Sequence, residues 1–160
     1  MTRLAGRRIA VIGAGAIGKG LGNGKAAALR FAEEGADVLC VDVDEVTAQE
    51  TVEQILQSGG TAKALTLDVT VKDAGELLLH AMTDHFGGLD VMHFNVGLSH
   101  PGGIENVTDT DWTRPAESLP FTFLQRTSDN LKPTNLSRIR RACFASTRLR
   151  STVRGVSTAF

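Results

Sequence analysis

The chain carries six glycines within twelve residues, at Gly13, Gly15, Gly18, Gly20, Gly22 and Gly24. Glycine adopts backbone conformations with positive φ, and because it has no Cβ a bound group can approach the backbone N–H groups closely. A loop of this kind that leads into a helix can bind an anion such as phosphate, since the N-terminus of a helix carries a partial positive charge. The type and spacing of these residues therefore indicate phosphate binding.

The segments on either side of the glycines predict the elements that would hold such a loop. An apolar strand is predicted over residues 8–12, and a helix over residues 25–34 that ends at Gly35, a residue type typical of helix C-termini. A second buried strand is predicted over residues 37–41, and Asp42 follows it, 18 residues after the last glycine of the loop. A strand, a glycine loop, a helix and an acidic residue about 20 residues further on together predict a dinucleotide site, with the acid on the ribose hydroxyls.

Strand and helix patterns continue to alternate over the following residues. Asp44 is predicted to cap a second helix, a third strand is predicted over residues 62–67, and a fourth over residues 89–94. The third helix is predicted to begin at a capping box formed by Thr70 and Asp73. The residues predicted to face the core from the second and third helices are Val46, Ile55, Leu56, Leu77, Leu78, Ala81, Met82 and Phe86.

This alternation predicts the fold class, an α/β protein with a doubly wound parallel sheet and helices on both faces. In such sheets ligands bind beyond the carboxyl ends of the strands. The glycine loop, Asp42, Asp68 and Asn95 each follow a predicted strand. The sequence therefore predicts that these four features meet at one edge of the sheet.

The composition limits the classes of protein to which the chain can belong. Its 160 residues, 42% of them hydrophobic, suit one globular domain, and no apolar stretch approaches the roughly 20 residues of a membrane span. Cys40 and Cys143 form neither a disulfide framework nor a metal-binding pattern, so Cys40 is predicted to be a buried thiol in a protein of the cytoplasm. The four histidines also lack metal-ligand spacing, and they are His80, His85, His93 and His100.

The alternating pattern ends near Trp112, where a fourth helix is predicted to begin. We therefore divide the chain into a half-domain over residues 1–112 and a basic Ser/Thr/Arg-rich tail over residues 113–160, whose structure the sequence leaves open, with residues 142–145 as its one candidate strand. From residue 114 onward nine basic residues stand against two acidic ones, a net charge of +7 compared with −8 for the rest of the chain. Because this basic tail has no nucleic-acid-binding motif and few aromatic residues, a solvated tail is favoured over a nucleic-acid contact. The charge reversal and the loss of the strand and helix pattern support the hypothesis that the tail derives from a shifted reading frame, a retained intron or another alteration of the gene.

Residues 6–112 resemble the N-terminal half of the short-chain dehydrogenase/reductase family. Three motifs carry the resemblance: the spacing Gly-x-x-x-Gly-x-Gly at Gly18, Gly22 and Gly24, the adenine-contacting pair at Asp68 and Val69, and the Asn-Asn-Ala-Gly motif, which reads Phe-Asn-Val-Gly at residues 94–97. The resemblance implies a Rossmann-type doubly wound sheet that is truncated after its first half and followed by an irregular tail.

The resemblance also implies a role for each residue of a cofactor site. Asn23 and the loop amides would hold the pyrophosphate, and Asp42 would bind the ribose of the adenosine. The negative charge of Asp42 would repel a 2′-phosphate, so NAD is favoured over NADP as the cofactor. The remaining residues of this site are Asp68 and Val69 beside the adenine, Asn95 and Gly97 on the nicotinamide side, and the loop glycines Gly13, Gly15, Gly18, Gly22 and Gly24.

Catalysis in this family uses Ser, Tyr and Lys side chains, of which the Tyr transfers a proton to or from the substrate oxygen. The chain contains no tyrosine, so no catalytic residue is predicted in it. The resemblance implies an NAD(P)-dependent oxidoreductase that acts by ancestry on a small-molecule carbonyl or alcohol, and the missing tyrosine predicts a truncated, catalytically impaired chain. The alternatives are a cofactor-binding pseudoenzyme, alone, as a homo-oligomer or paired with a full-length relative, and an inert product that folds poorly.

Overall fold

The computed structural model describes residues 2–16, 18, 20–97 and 108. Within these residues strands and helices alternate along the chain, and the strands form one parallel sheet. The strands are β1 (Arg8–Ile12), β2 (Asp37–Asp42), β3 (Thr61–Thr66) and β4 (Val91–Phe94), and the helices are α1 (Asn23–Glu33), α2 (Glu45–Gln57) and α3 (Ala74–Phe86). The predicted α/β class and parallel sheet are confirmed, and each element boundary except the start of α3 lies within two residues of its predicted position.

The strands lie in the order β3-β2-β1-β4, so β1 is the strand at which the chain changes direction across the sheet. Helices α1 and α2 cover one face, where Ala28 and Ile55 lie in the same core cluster as Val11 and Val38. Helix α3 connects β3 to β4 over the other face, where Leu78 joins a second core cluster. The topological switch point therefore lies between β1 and β4, and the carboxyl ends of such strands are where parallel sheets bind ligands.

The two central strands are buried on both faces of the sheet. Every side chain from Ile9 to Ile12 and from Val38 to Val41 is buried, which explains why both strands are continuous apolar runs in the sequence. Cys40 lies on the face that α1 and α2 cover, and its burial raises the pKa of the thiol to about 12. The prediction of a buried thiol is confirmed.

The predicted core-facing residues of the helices are partly wrong. Val46 and Leu56 of α2 are 66% and 51% exposed, and Leu77 of α3 is 51% exposed. The buried stripe of α2 instead runs through small and β-branched residues three or four positions apart, and that of α3 begins at small residues. The buried members are Ala48, Thr51, Val52 and Ile55 on α2, and Ala74, Gly75, Leu78 and Met82 on α3. Small residues let a helix lie close to a sheet, so the largest apolar side chains do not identify the buried face.

The start of α2 was predicted correctly and the start of α3 was not. The Asp44 carboxylate accepts hydrogen bonds from the N–H groups of Val46 and Thr47, at 2.9 and 3.3 Å, as an N-cap residue does. Helix α3 begins after Asp73 without a side-chain cap, so the predicted capping box is wrong. The Thr70 hydroxyl and N–H both donate to Asp68 Oδ1, at 2.7 and 2.8 Å, in a local turn that competes with a helix start.

Several predicted features lie outside the described residues. They are the fourth helix near Trp112, the tail over residues 113–160, Cys143 and His100. Among the residues that are described, no helix is long and apolar enough to cross a membrane.

Candidate dinucleotide-binding site

The carboxyl ends of β1, β2 and β4 lie side by side and are joined by backbone hydrogen bonds. Ile12 is paired with Val41 in β2 and with Phe94 in β4. Beyond these pairs, the N–H of Gly13 donates to the O of Val41 at 2.8 Å, and the N–H of Asn95 donates to the O of Ile12 at 2.8 Å. The sheet therefore brings the glycine loop, Asp42 and Asn95 to one edge.

The turn that follows β1 is packed tightly against α1 and the end of β4. Gly13 has a φ of +79°, and a Cβ placed on it would lie 3.0 Å from the O of Asn95. A Cβ on Gly24, in the first turn of α1, would overlap the O of Gly13 and lie 3.0 Å from Nδ2 of Asn95. Glycine is required at both positions because backbone atoms occupy the space that a side chain would need.

Gly18 and Gly20 are exposed, unlike the two ends of the loop. A Cβ on either would meet no atom of the described residues within 4 Å, and Gly18 has a φ of +73°. Helix α1 begins after Gly22 with no side-chain cap and with no acidic residue in its first turn, where Asn23 is exposed. The N–H groups at this helix end therefore have neither a capping side chain nor an acidic residue in their own turn, and this arrangement fits a bound phosphate.

Asp42 lies at the end of β2 with its carboxylate directed at the glycine loop. Oδ2 accepts a hydrogen bond from the N–H of Gly15 at 2.8 Å, and Oδ1 accepts one from the N–H of Asp44 at 3.2 Å. A Cβ on Gly15 would lie 2.8 Å from Oδ2 of Asp42 and would overlap Oγ1 of Thr47. The absence of a side chain at Gly15 therefore allows the acid to reach the loop backbone.

The remaining predicted residues surround this centre in different environments. Asp68 follows β3 and is exposed, whereas the side chain of Val69 is buried in the core cluster beneath α3. The segment after β3 is tied to the site because the N–H of Leu67 donates to the O of Asp42 at 2.8 Å. Asn95 is half-buried, and Gly97 is exposed.

Two side chains near the loop were not predicted from the sequence: Thr51, which contacts the loop backbone, and Lys25, which pairs α1 with α2. Thr51 is fully buried on α2, and its Oγ1 lies 2.9 Å from the O of Ala14. Lys25, directly after the glycine loop, is 8% exposed and its Nζ lies 3.9 Å from Oε2 of Glu50 on α2. The sequence does contain a signal for Thr51, because it lies among the buried residues of α2. A buried hydroxyl needs a hydrogen-bond partner, and a partner in another element is then expected.

The side chain of His93, in β4, packs against an aromatic ring of α1. His93 is half-buried with its ring edge-on to Phe31 of α1, the ring centroids 5.6 Å apart, and burial lowers the pKa of the imidazole. In the part of the chain that the structure describes, His, Cys, Asp and Glu form no group of three that could hold a metal ion.

A parallel sheet, a glycine loop after its first strand and an acid after its second define a Rossmann-type fold, whose members bind dinucleotides at this edge of the sheet. Residues 8–118 match the family described as short chain dehydrogenase. The chain therefore belongs to the short-chain dehydrogenase/reductase family, whose members use nicotinamide cofactors.

The similarity to individual proteins covers the same part of the chain. A 2,5-dichloro-2,5-cyclohexadiene-1,4-diol dehydrogenase from Sphingobium indicum is 38% identical over 112 residues, which are 70% of this chain and 43% of that protein. A crystal structure of a short-chain dehydrogenase/reductase from Burkholderia xenovorans is 36% identical, with a TM-score of 0.72 over 81% of this chain and 51% of that one. The chain thus spans about half the length of these relatives or less.

A similar structure contains the cofactor. A 7α-hydroxysteroid dehydrogenase complexed with NADH and 7-oxo glycochenodeoxycholic acid is 30% identical to this chain, with a TM-score of 0.68. The match covers 79% of this chain and 48% of that one.

Proposed function

We propose that the chain binds a nicotinamide dinucleotide at the edge of the sheet formed by the glycine loop, Asp42 and Asn95, and that it binds NAD in preference to NADP. The observation that carries the proposal is the Asp42 carboxylate, fixed 2.8 Å from the N–H of Gly15 at the end of β2. An acid in this position accepts hydrogen bonds from ribose hydroxyls and repels a 2′-phosphate.

The other predicted residues have roles that follow from their positions. Asn23 and the N-terminus of α1 would bind the pyrophosphate, next to the open loop around Gly18. Asp68 and the backbone at Val69 would lie beside the adenine. Asn95 and Gly97, after β4, would border the nicotinamide.

We further propose that these 160 residues bind the cofactor without catalysing its redox reaction. A bound nicotinamide would supply hydride exchange with a carbonyl or an alcohol, but the substrate oxygen also needs a proton donor in hydrogen-bond reach. The family's donor is a tyrosine, and the chain has none. These 160 residues are therefore proposed to be catalytically impaired when they act by themselves.

A titration of the purified chain with NADH and NADPH tests the binding proposal. Nicotinamide fluorescence is expected to saturate with NADH at micromolar concentrations and to require about tenfold more NADPH. The repulsion between the Asp42 carboxylate and a 2′-phosphate about 4 Å away is worth about 1 kcal/mol in water and more at a protein surface. An assay of carbonyl reduction with the same protein is expected to show no turnover. Binding of neither dinucleotide below about 1 mM contradicts the proposal, and turnover contradicts its second part.

Replacement of Asp42 by asparagine tests which residue selects NAD. Asp42→Asn is expected to weaken NADH binding about tenfold and to bring the affinities for NADH and NADPH within about threefold of each other, because a charge-assisted hydrogen bond and a repulsion are both lost. The matched control is Asp44→Asn, a neighbouring acid whose cap function asparagine preserves. If both variants change the preference equally, the general charge of this surface selects the cofactor and Asp42 does not.

A further inference from the structure

The peptide group between Ala14 and Gly15 is held at both of its polar ends by side chains from two different elements. Its carbonyl oxygen, on Ala14, lies 2.9 Å from Oγ1 of Thr51 on α2. Its N–H, on Gly15, donates to Oδ2 of Asp42 at 2.8 Å. Both Ala14 and Thr51 are completely buried, so these bonds lie at the base of the loop, away from its exposed middle.

We propose that Thr51 is a positioning residue for the cofactor, because it sets through this peptide the orientation in which Asp42 meets the ribose. The inference rests on the proposed function. It adds a determinant of affinity and of NAD preference on α2, a helix that supplies no cofactor ligand to the proposed site.

The geometry explains how a buried hydroxyl can act on a carboxylate. The C=O and N–H of one peptide point in opposite directions within a rigid plane, so a rotation of the plane breaks both hydrogen bonds together. Donation by Thr51 into the carbonyl also polarises the N–H as a stronger donor to Asp42. With Oδ2 held in this way, Oδ1, whose protein donor is 3.2 Å away, is left with capacity for a ribose hydroxyl.

Thr51 has a second acceptor, which defines the control that the experiment needs. Its Oγ1 lies 3.1 Å from the O of Thr47, one turn earlier in α2, a contact within the helix. Thr83 of α3 makes this same kind of contact alone, from its Oγ1 to the O of Leu79 at 2.8 Å. Thr83→Val therefore removes a helical hydroxyl bond without touching the loop, whereas Thr51→Val removes the bond to Ala14 as well.

The first test measures dissociation constants for NADH and NADPH with four proteins: the wild type, Thr51→Val, Thr51→Ser and Thr83→Val. Valine retains the shape of threonine, and serine retains the hydroxyl. Thr51→Val is expected to weaken NADH binding about tenfold and NADPH binding about threefold or less, since the loss acts through Asp42 and leaves a buried carbonyl without its donor. Thr51→Ser and Thr83→Val are expected to stay within about threefold of wild type for both ligands.

The second test uses the protein without cofactor and does not depend on binding. Amide hydrogen exchange followed by NMR is expected to be about tenfold faster at the Gly15 N–H in Thr51→Val than in wild type. Exchange at the strand amide of Val11 serves as the internal reference, and it also shows whether the variant is folded. In the background Asp42→Asn, where the partner of the Gly15 N–H is altered, Thr51→Val should change NADH affinity by less than about threefold.

The outcomes separate the inference from the proposed function. If wild type binds neither dinucleotide, both fall. The inference is overturned, and the proposed function stands, if wild type binds NADH and Thr51→Val binds it equally well. The same conclusion follows if Thr51→Val loses affinity for NADH and for NADPH by the same factor. A general loss of exchange protection in Thr51→Val, with Val11 as fast as Gly15, would also overturn it, because Thr51 would then be a stabilising residue only.

Discussion

Replacement of Gly24 by alanine is expected to lower the free energy of unfolding by at least about 3 kcal/mol, at the upper end of the usual cost of overpacking. A Cβ on Gly24 would overlap the backbone O of Gly13 and lie 3.0 Å from Nδ2 of Asn95. The carbonyl of Gly13 cannot withdraw easily, because the N–H of the same peptide group, on Ala14, donates to the O of Val41 at 3.0 Å. Thermal unfolding followed by circular dichroism should show a fall in Tm of more than about 10 °C.

Gly20→Ala is the matched control for this variant. Gly20 lies in the same loop, is exposed and has no positive φ, and a Cβ on it would meet no atom of the described part of the chain within 4 Å. Its Tm is expected to stay within about 2 °C of wild type, as for most exposed substitutions. Equal losses in the two variants would contradict the close packing of α1 against the end of β1, because the loop would then reject any side chain.

Replacement of Asp90 by alanine is expected to destabilise the protein by about 3 kcal/mol. Asp90, before β4, accepts hydrogen bonds from the backbone N–H, Nε and Nη2 of Arg8 at 3.0, 2.9 and 2.8 Å, and both side chains are largely buried. Arg8 Nη1 also donates to the O of Gly87 at 2.9 Å, so the pair joins the start of β1 to the connection between α3 and β4. Without the carboxylate, the donors of Arg8 lose their partner in a place that water reaches poorly. Urea unfolding measures the loss.

The control for Asp90 is an acid in an exposed ion pair. Glu33 lies 2.7 Å from Arg30 on α1, and both side chains are more than half exposed. Glu33→Ala is expected to change the free energy of unfolding by less than about 1 kcal/mol, because water screens such pairs. A loss at Glu33 as large as that at Asp90 would show that burial does not decide the strength of these pairs.

The ion pair between Arg8 and Asp90 also makes the stability of the protein depend on pH in the acid range. The hydrogen bonds and charge of Arg8 lower the pKa of Asp90 to about 2. Since the pKa in the unfolded chain is about 3.9, the stabilisation is complete above about pH 5 and is lost as the pH falls towards 2. Between about pH 5 and pH 2, the free energy of unfolding of Asp90→Asn should fall by about 2 kcal/mol less than that of wild type. A difference between the two proteins that does not change from pH 6 to pH 2 would contradict this account.

Glu34 contributes to the acid dependence in the same direction. Hydrogen bonds from the side chain and N–H of Arg3 lower the pKa of Glu34 to about 2. Its stabilising contribution is therefore also lost as the pH falls, which is why Asp90→Asn should remain acid-sensitive. The comparison of wild type with Asp90→Asn isolates the part due to Asp90.

Most of the fold could be predicted because its signals are local in the sequence. Continuous apolar runs around Val11 and Val38 identified the buried strands, and Asp44 identified the start of α2. The capping box at Thr70 was wrong because the N–H and hydroxyl of Thr70 both donate to Asp68 in a local turn, and α3 begins only after Asp73. The helix faces were partly wrong because spacing alone does not show whether small or large apolar residues form the contact with the sheet, as exposed Leu77 illustrates.

The sequence by itself determined the fold class of this protein and the edge of the sheet at which its candidate cofactor site lies. Parallel strands end at one edge, so the sequence places Gly13, Asp42 and Asn95 on the same edge of the sheet. The strand order, in which β1 lies between β2 and β4, brings them close together. Only the tertiary structure decided how they are held. The contact of Gly24 with the Gly13 carbonyl, and the bonds from Thr51 and Asp42 to one peptide, join residues 11 to 37 positions apart. Such contacts depend on the exact approach of elements to each other, which periodicity and motif spacing do not contain.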